Sequence, residues 1–175
     1  MKQFYDERSA NQKYLARYIP LYAAVLPLIR WGSRVVELGS GNGRMAAILL
    51  ASEIPSSYLG LDFAPETVKR AKLLVGDVFR VGDLTTCDIP DADVYVTLEV
   101  LEHLDDDLGL LSRLPARRTV VLSVPSFDSA SHVRHFPQAH SALRRYESVL
   151  DIDHDQAVPV PGKRAFFHLL RGIVR

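Results

Sequence analysis

Apolar and polar positions follow two rhythms along this chain, and the rhythms predict its elements. Short apolar runs rich in β-branched residues predict strands at Arg34 to Leu38, Tyr58 to Asp62, Val78 to Val81, Val94 to Leu98 and Thr119 to Val124. Between them, helical spacing takes over. Met45, Ile48 and Leu49 share one face of a segment from Arg44 to Ser52, and further helices are expected at Pro65 to Leu74, Asp105 to Leu114 and Ala139 to Tyr146. Pro65 suits a first helical turn, where a missing amide hydrogen costs nothing. The Asp residues opening the third helix suit the positive end of its dipole. Upstream, Phe4 to Ile29 reads as helical, broken near Pro20, which can open a second helix.

Alternating strands and helices predict an α/β fold with a mostly parallel sheet and helices on both faces. Two last strands are expected at Ser148 to Ile152 and Ala165 to Val174. Asp153 to Lys163 lies between them, contains Pro159, Pro161 and Gly162, and has no helical pattern, so the two should pair antiparallel as a terminal hairpin. Gly82 to Ala92 is likewise short for a crossover with a full helix. No repeat, low-complexity tract or linker divides the chain. The expectation is one domain over 1–175, with 1–30 a helical cap and 33–175 the core. The first dozen residues read as a lid, with Phe4, Tyr5 and Tyr14 as its walls, against a plain packing role for the rest of the segment.

Composition narrows the classes. The 175 residues suffice for one sizeable core. Lys plus Arg equals Asp plus Glu at 21 each, so no bulk field favours nucleic acid or a membrane. The single cysteine, Cys87, excludes an intramolecular disulfide and a cysteine-rich zinc site. No apolar run is long enough to cross a bilayer, and Met1 to Glu7 lacks the apolar core of a secretory signal. A cytoplasmic location is the default expectation.

The chemistry starts at Val35-Val-Glu-Leu-Gly-Ser-Gly-Asn-Gly43, a buried strand running into a glycine-rich turn and a helix. Glycines at 39, 41 and 43 let the backbone fold tightly and approach a ligand, and the amides opening the helix point into the turn. Such a turn binds a nucleotide-like molecule at the carboxyl end of a strand. Glu37, two residues before Gly39, would repel a pyrophosphate and attract an ammonium. Asp62 ends the second strand where an acid meets ribose hydroxyls, and Asp83, after the third, can accept from an adenine amino group. An ammonium, a ribose and an adenine together describe S-adenosylmethionine (SAM).

On these residues the chain resembles a class I (Rossmann-like) SAM-dependent methyltransferase. Val35 to Gly43 matches that family's first motif, Gly60-Leu-Asp-Phe-Ala-Pro-Glu66 its second, Gly82-Asp83-Leu84 its third and Val94 to Leu104 its fourth. The resemblance implies that Glu37 and Gly39 hold the methionine part and Asp62 the ribose. It puts Phe63 on the adenine face, Asp83 and the Leu84 amide on its edge, and backbone near Leu98 and Glu99 at the ammonium. It also implies a seven-stranded sheet whose reversed seventh strand accounts for the hairpin. Methyl transfer then needs in-line alignment and exclusion of water, and a hydroxyl acceptor also needs a base or a metal.

Glu99, Glu102 and His103 follow strand 4, and on a helix they would share one face. His103 and Glu102 are the candidate catalytic pair. Glu99, Glu102 and His103 are the candidate ligands of a divalent metal, Mg²⁺ or similar, with Mn²⁺, Fe²⁺ or Zn²⁺ accepting the imidazole better. The pattern is similar to that of ubiquinone-pathway O-methyltransferases, the closest in motif, and of small-RNA 2′-O-methyltransferases. It is also common in superfamily members with no known metal, where the histidine is a base or a structural residue. Ser123-Val-Pro-Ser-Phe-Asp128 leaves strand 5 and leads to Ser131-His-Val-Arg-His-Phe-Pro137, similar to the His-x-x-Arg-x-Phe segment of related enzymes. His132 could supply a further ligand there, or His132 and Arg134 could anchor the loop over Phe136; His135 and His140 follow. His154 and His168 read as structural or surface residues, and Arg144 and Arg145 as a solvated helix face.

The leading expectation is methyl transfer from SAM to oxygen of a small-molecule acceptor. The acceptor pocket would be completed by the N-terminal helices and the loop after strand 5, or by a partner chain, as in a homo-oligomer. The alternatives are an RNA 2′-O-methyltransferase, which the zero net charge and lack of basic runs oppose, and a non-catalytic SAM-binding regulatory module. No membrane partner is expected.

Overall fold

The computed structural model describes residues 16–175, so the expected lid and its walls Phe4, Tyr5 and Tyr14 lie outside the described residues. The strands are β1 (Arg34–Leu38), β2 (Ser57–Asp62), β3 (Phe79–Val81), β4 (Val94–Leu98), β5 (Thr119–Pro125), β6 (Leu150–Pro159) and β7 (Phe166–Val174). The helices are α1 (Ile19–Val25), α2 (Arg44–Ala51), α3 (Pro65–Val75), α4 (Asp107–Ser112) and α5 (Ala139–Tyr146). They make a seven-stranded sheet of order β3-β2-β1-β4-β5-β7-β6. The first five strands pair in parallel, and β7 runs antiparallel to both β5 and β6. The Rossmann-like α/β architecture and its terminal hairpin are as expected. Among the described residues no helix is long and apolar enough to cross a membrane.

Strands covered on both faces explain the near-continuous apolar runs. On one face, Val35, Val94, Val96 and Val121 meet Leu21 and Val25 of α1, Met45 and Leu49 of α2, and Val68 of α3. On the other, Val36, Tyr95, Val120 and Leu122 meet Leu110 and Leu111 of α4 and Tyr146 of α5. The connection after β3 carries no helix; the Tyr95 hydroxyl donates to the Pro90 carbonyl at 3.0 Å and accepts from the Ala92 amide at 3.1 Å, which pins it to the sheet. Sequence order reverses between β1 and β4, and such a switch point opens a crevice beyond the carboxyl ends of the strands.

Three expectations need correction. β6 continues to Pro159 instead of ending at Ile152. Its acids Asp151, Asp153 and Asp155 disguise it as a loop, but β6 is an edge strand and they are exposed, where charge deters further pairing. Its register with β7 jumps from Ile152↔Gly172 to His154↔Arg171, leaving Asp153 as a bulge. The extra residue inverts the pleat, so Leu150 and Ile152 join one core and Val158 the other. Second, Arg145 is no solvated side chain: its Nε and Nη2 donate to the fully buried Asp107 carboxylate at 2.8 and 2.6 Å, and the Tyr146 hydroxyl adds a third bond at 3.0 Å. Asp107 thus ties α4 to α5. Third, no single helix face carries Glu99, Glu102 and His103. Glu99 is left-handed at φ 57°, and a short 3₁₀ turn, Leu101–His103, follows. A non-glycine residue held at that φ is strained, and such strain concentrates at functional sites.

Candidate functional site

A cavity of about 490 Å³ opens at the switch point. Glu37, Gly39, Gly41, Asp62, Phe63, Asp83, Leu84, Leu98, Glu99, Glu102 and His103 all line it. Gly43 stands behind it: it caps α2 at φ 79°, and a Cβ there would come within 2.9 Å of the Phe79 ring and 3.1 Å of the Ala71 Cβ. Gly39 sits at φ 78°, where a Cβ would lie 2.3 Å from a Val100 methyl carbon. Only glycine lets the β1 turn and the β4 turn approach this closely.

The acids differ in how they are held. Asp62 accepts from the Gly41 and Ala64 amides, each at 2.9 Å, so it fixes the glycine turn as well as facing the cavity. A carboxylate has capacity for about four such bonds. Asp83 accepts from the Thr85 hydroxyl at 2.7 Å and the Thr85 amide at 2.9 Å, and these bonds hold its carboxyl below the usual range. Glu37 is buried, and its carboxyl accepts from the Tyr58 hydroxyl. Burial pushes it up to about 8, against the opposing effect of that hydrogen bond. Glu99 is likewise pushed up to about 8 by burial, although the Ser123 hydroxyl donates to it at 2.9 Å. The Ser40 hydroxyl, also on the cavity wall, is buried without a hydrogen-bond partner among the described residues. The cleft therefore joins the charge-poor Glu37 and Glu99 to the ionised Asp83 and an unanswered hydroxyl, an arrangement that suits a cationic, polyhydroxylated guest.

The second half of the cavity is built by the loop after β5. Arg134 stretches across it and donates to the Leu101 and Leu104 carbonyls and, at 2.9 Å, to that of Asp105. Phe136 is buried beneath, so Arg134 holds the loop over Phe136. His132 also lines the cavity. Its ring lies 4.9 Å from that of His103, centroid to centroid, and its Nδ1 is buried without a hydrogen-bond partner among the described residues. Burial first, and then the neighbouring His103, lower its affinity for a proton, so it is held as a neutral imidazole. The His103 Nδ1 lies 2.8 Å from the Ser131 carbonyl; a carbonyl only accepts, so that nitrogen carries the proton and Nε2 the lone pair. Nε2 lies 3.6 Å from a Glu102 oxygen. Glu102 is fully buried and neither carboxyl oxygen has a hydrogen-bond partner among the described residues; its carboxyl is pushed well up by burial and by the nearby Glu99.

Ligand atoms of Glu102, His103 and His132 fall within 4.8 Å of one another. Glu99, expected as a ligand, is not in this group; its Oε1 is engaged with Ser123. Two imidazoles and one carboxylate suit Mn²⁺, Fe²⁺ or Zn²⁺ better than the all-oxygen preference of Mg²⁺. His168 is structural as expected, donating from Nε2 to the Phe136 carbonyl at 2.8 Å.

The outer wall was not singled out from the sequence. Tyr18 stacks on Phe167 with centroids 5.3 Å apart, Phe127 lies 6.1 Å from Phe167, and Lys163 sits 4.7 Å above the Phe127 ring. These residues come from segments far apart in the chain, and no local pattern joins them. Only Phe127, just after the Ser123–Pro125 end of β5, stood where a strand end marks a site.

Residues 36–115 match the family described as a methyltransferase domain. A trans-aconitate 2-methyltransferase of Streptomyces avermitilis is 30% identical over 161 residues, covering 82% of this chain and 58% of the relative. The 27-O-demethylrifamycin SV methyltransferase of Amycolatopsis mediterranei is 34% identical over 113 residues, covering 59% of this chain and 41% of the relative. The chain thus spans about half the length of the curated relatives it matches. Among solved structures, the N-methyltransferase NodS of Bradyrhizobium japonicum, in complex with S-adenosyl-L-homocysteine, superposes with a TM-score of 0.76 at 16% identity, covering 98% of this chain and 97% of the other.

Proposed function

We propose that the chain is a class I SAM-dependent methyltransferase, a reading supported by the match of residues 36–115 to the methyltransferase-domain family, and that it transfers a methyl group from SAM to an oxygen of a small, aromatic acceptor. SAM supplies an electrophilic methyl on a sulfonium, which leaves as the carbon–sulfur bond breaks and the carbon–oxygen bond forms. Glu37 and the Gly39 turn would hold the amino-acid end, Asp62 the ribose, and Phe63, Asp83 and Leu84 the adenine. The observation that carries the oxygen reading is the Glu102 carboxyl, buried with both oxygens unsatisfied beside His103 and His132. Such a carboxyl costs several kcal/mol unless a cation or a proton donor meets it. An acceptor hydroxyl must lose its proton as it is methylated, and the cluster lies on the cavity wall where that proton would emerge.

Glu102, His103 and His132 fit a divalent ion, which would lower the acidity barrier of a bound hydroxyl. A second reading, favoured by the Ser131 carbonyl fixing the His103 tautomer, has His103 Nε2 take the proton directly while Glu102 steadies the imidazolium. The aromatic wall of Tyr18, Phe127 and Phe167 supports an aromatic acceptor, and Lys163 would meet an anionic substituent on it. The names of the relatives divide between O- and N-methylation, so they do not choose the atom. Calorimetry with SAM, followed by SAM turnover across phenols, carboxylic acids, amines and an RNA oligomer, tests the reading. Product with phenols or acids is expected. Turnover confined to amines or RNA would overturn the oxygen assignment, and SAM binding with no turnover on any of them would favour the regulatory module.

A pH dependence follows from Glu37. Its folded pKa, about 8, lies above the ordinary carboxylate value, so the free protein keeps a proton that the unfolded chain has lost. That contribution is fully present below the unfolded value and is lost as pH rises toward 8. The ammonium of SAM favours the charged carboxylate. SAM affinity should therefore rise with pH, by up to about tenfold per unit between about 5.5 and 7, below the range where the ligand's own α-amino group titrates. Glu37→Gln should flatten the slope; an identical slope in that variant would remove Glu37 from ammonium recognition.

A further inference from the structure

At the opposite end of the sheet, a second cavity of about 400 Å³ lies among the turn before β1, the amino-terminal ends of β4 and β5, and the end of β7. Its walls include Arg30, Arg117, Arg118 and Arg171 against Asp93 and Asp153, an excess of two positive charges in a chain whose formal net charge is zero. The pairing within it is uneven. Arg171 meets Asp153 at 2.9 Å, and Arg118 meets Asp91 at 3.0 Å and Asp93 at 3.9 Å. Arg30 and Arg117 form no ion pair among the described residues, so the excess charge resides on these two.

Two further observations single out the same place. Ser33 lines the cavity, is 1% exposed, and its hydroxyl has no hydrogen-bond partner among the described residues. Its backbone is not loose: the Ser33 amide donates to the Arg30 carbonyl at 3.2 Å and its carbonyl accepts from Ser56 at 2.9 Å, so one tight turn presents both side chains. Arg117 is held at φ 67°, a left-handed conformation that glycine would adopt without strain, with its amide donating to the Val174 carbonyl at 2.8 Å.

We propose that this cavity binds a phosphate group, either the free ion or a phosphomonoester, between the guanidinium groups of Arg30 and Arg117 with the Ser33 hydroxyl as a third donor. Two unpaired guanidiniums match the charge of a phosphate dianion, and their planar forks engage its oxygens in pairs. A hydroxyl beside them serves a tetrahedral oxyanion, whose oxygens offer more lone pairs than two forks use; a carboxylate has about four acceptor sites, and two forks take them all. The site is separate from the SAM cleft, so its occupancy is read without turnover.

The test uses the full chain with SAM present in excess, so that the cleft at the other end is filled. Thermal unfolding and calorimetry are compared at matched ionic strength in chloride, inorganic phosphate, ribose 5-phosphate and succinate. Phosphate should raise the midpoint by about 3 °C over chloride. Arg117→Gly, which keeps the left-handed backbone accessible, and Arg30→Gln should each weaken phosphate binding by tenfold or more while SAM affinity stays unchanged. Both positions are exposed, so neither variant threatens the core. Binding of ribose 5-phosphate at least as tight as inorganic phosphate assigns a phosphomonoester, and binding of inorganic phosphate alone assigns the free ion; both uphold the site. Equal midpoints in phosphate and chloride, succinate matching phosphate, or wild-type phosphate affinity in both variants would overturn it.

Discussion

Glu102→Ala is expected to lower methyl turnover by about 10²–10⁴-fold while leaving SAM affinity within about twofold of wild type. The separation follows from where Glu102 stands. It is on the cavity wall beside His103 and His132, whereas the side chains assigned to SAM stand on β1, at the end of β2 and on the turns after β1, β2 and β3. Removal of this carboxyl should also stabilise the fold, because a buried acid with two unsatisfied oxygens is itself a cost. Lost activity with gained stability is a signature that a merely structural residue would not give. His132→Ala then divides the two proton-handling readings. If the cluster holds an ion, His132→Ala should be as damaging as Glu102→Ala, and chelation should reproduce both. If His103 alone takes the proton, His132→Ala should cost far less and chelation nothing. Full turnover in Glu102→Ala would remove the cluster from the chemistry altogether.

Gly39→Ala should weaken SAM binding by about 100-fold or more with the fold retained. Two penalties combine. A left-handed alanine costs about 1–2 kcal/mol, and its Cβ would lie 2.3 Å from a Val100 methyl carbon, so the β4 turn must retreat. That turn carries the strained Glu99 on one side and the 3₁₀ turn of Glu102 on the other, so its retreat moves cavity walls as well as the glycine loop. Gly41→Ala is the control: its φ is 53°, but a Cβ there meets nothing within 4 Å, and the loss should be no more than about tenfold. Calorimetric titration of SAM into the three proteins reads the difference. Equal affinity in Gly39→Ala and wild type would show that the close approach of the two turns is dispensable.

Much of this was legible beforehand because it is local. Strand β1 and the turn through Gly43, and the acid that ends β2, are set by neighbours in sequence, and β4 and α5 begin and end where apolar spacing put them. What escaped depended on partners distant in the chain. Arg145 reads as solvated until Asp107, thirty-eight positions away, is seen buried beneath it. Glu99 reads as one of three helix-face residues until Ser123 bonds both its amide and its carboxyl and holds it left-handed. His132 reads equally as a loop anchor or a ligand, and nothing local shows that its ring meets that of His103. The unpaired Arg30 and Arg117 carry no sequence signal, because nothing local tells a paired arginine from an unpaired one.

The bulge at Asp153 has a consequence for descent. Because one residue changes which side of β6 is apolar, the strand is written in two reading frames, Leu150 and Ile152 in one and Val158 in the other. A lineage that dropped Asp153 could not keep both; it would have to rewrite every oily position on one side of the gap at once. The edge of this sheet is therefore closed to gradual shortening there, and drift in length among kindred chains belongs in the turn between Val160 and Ala165.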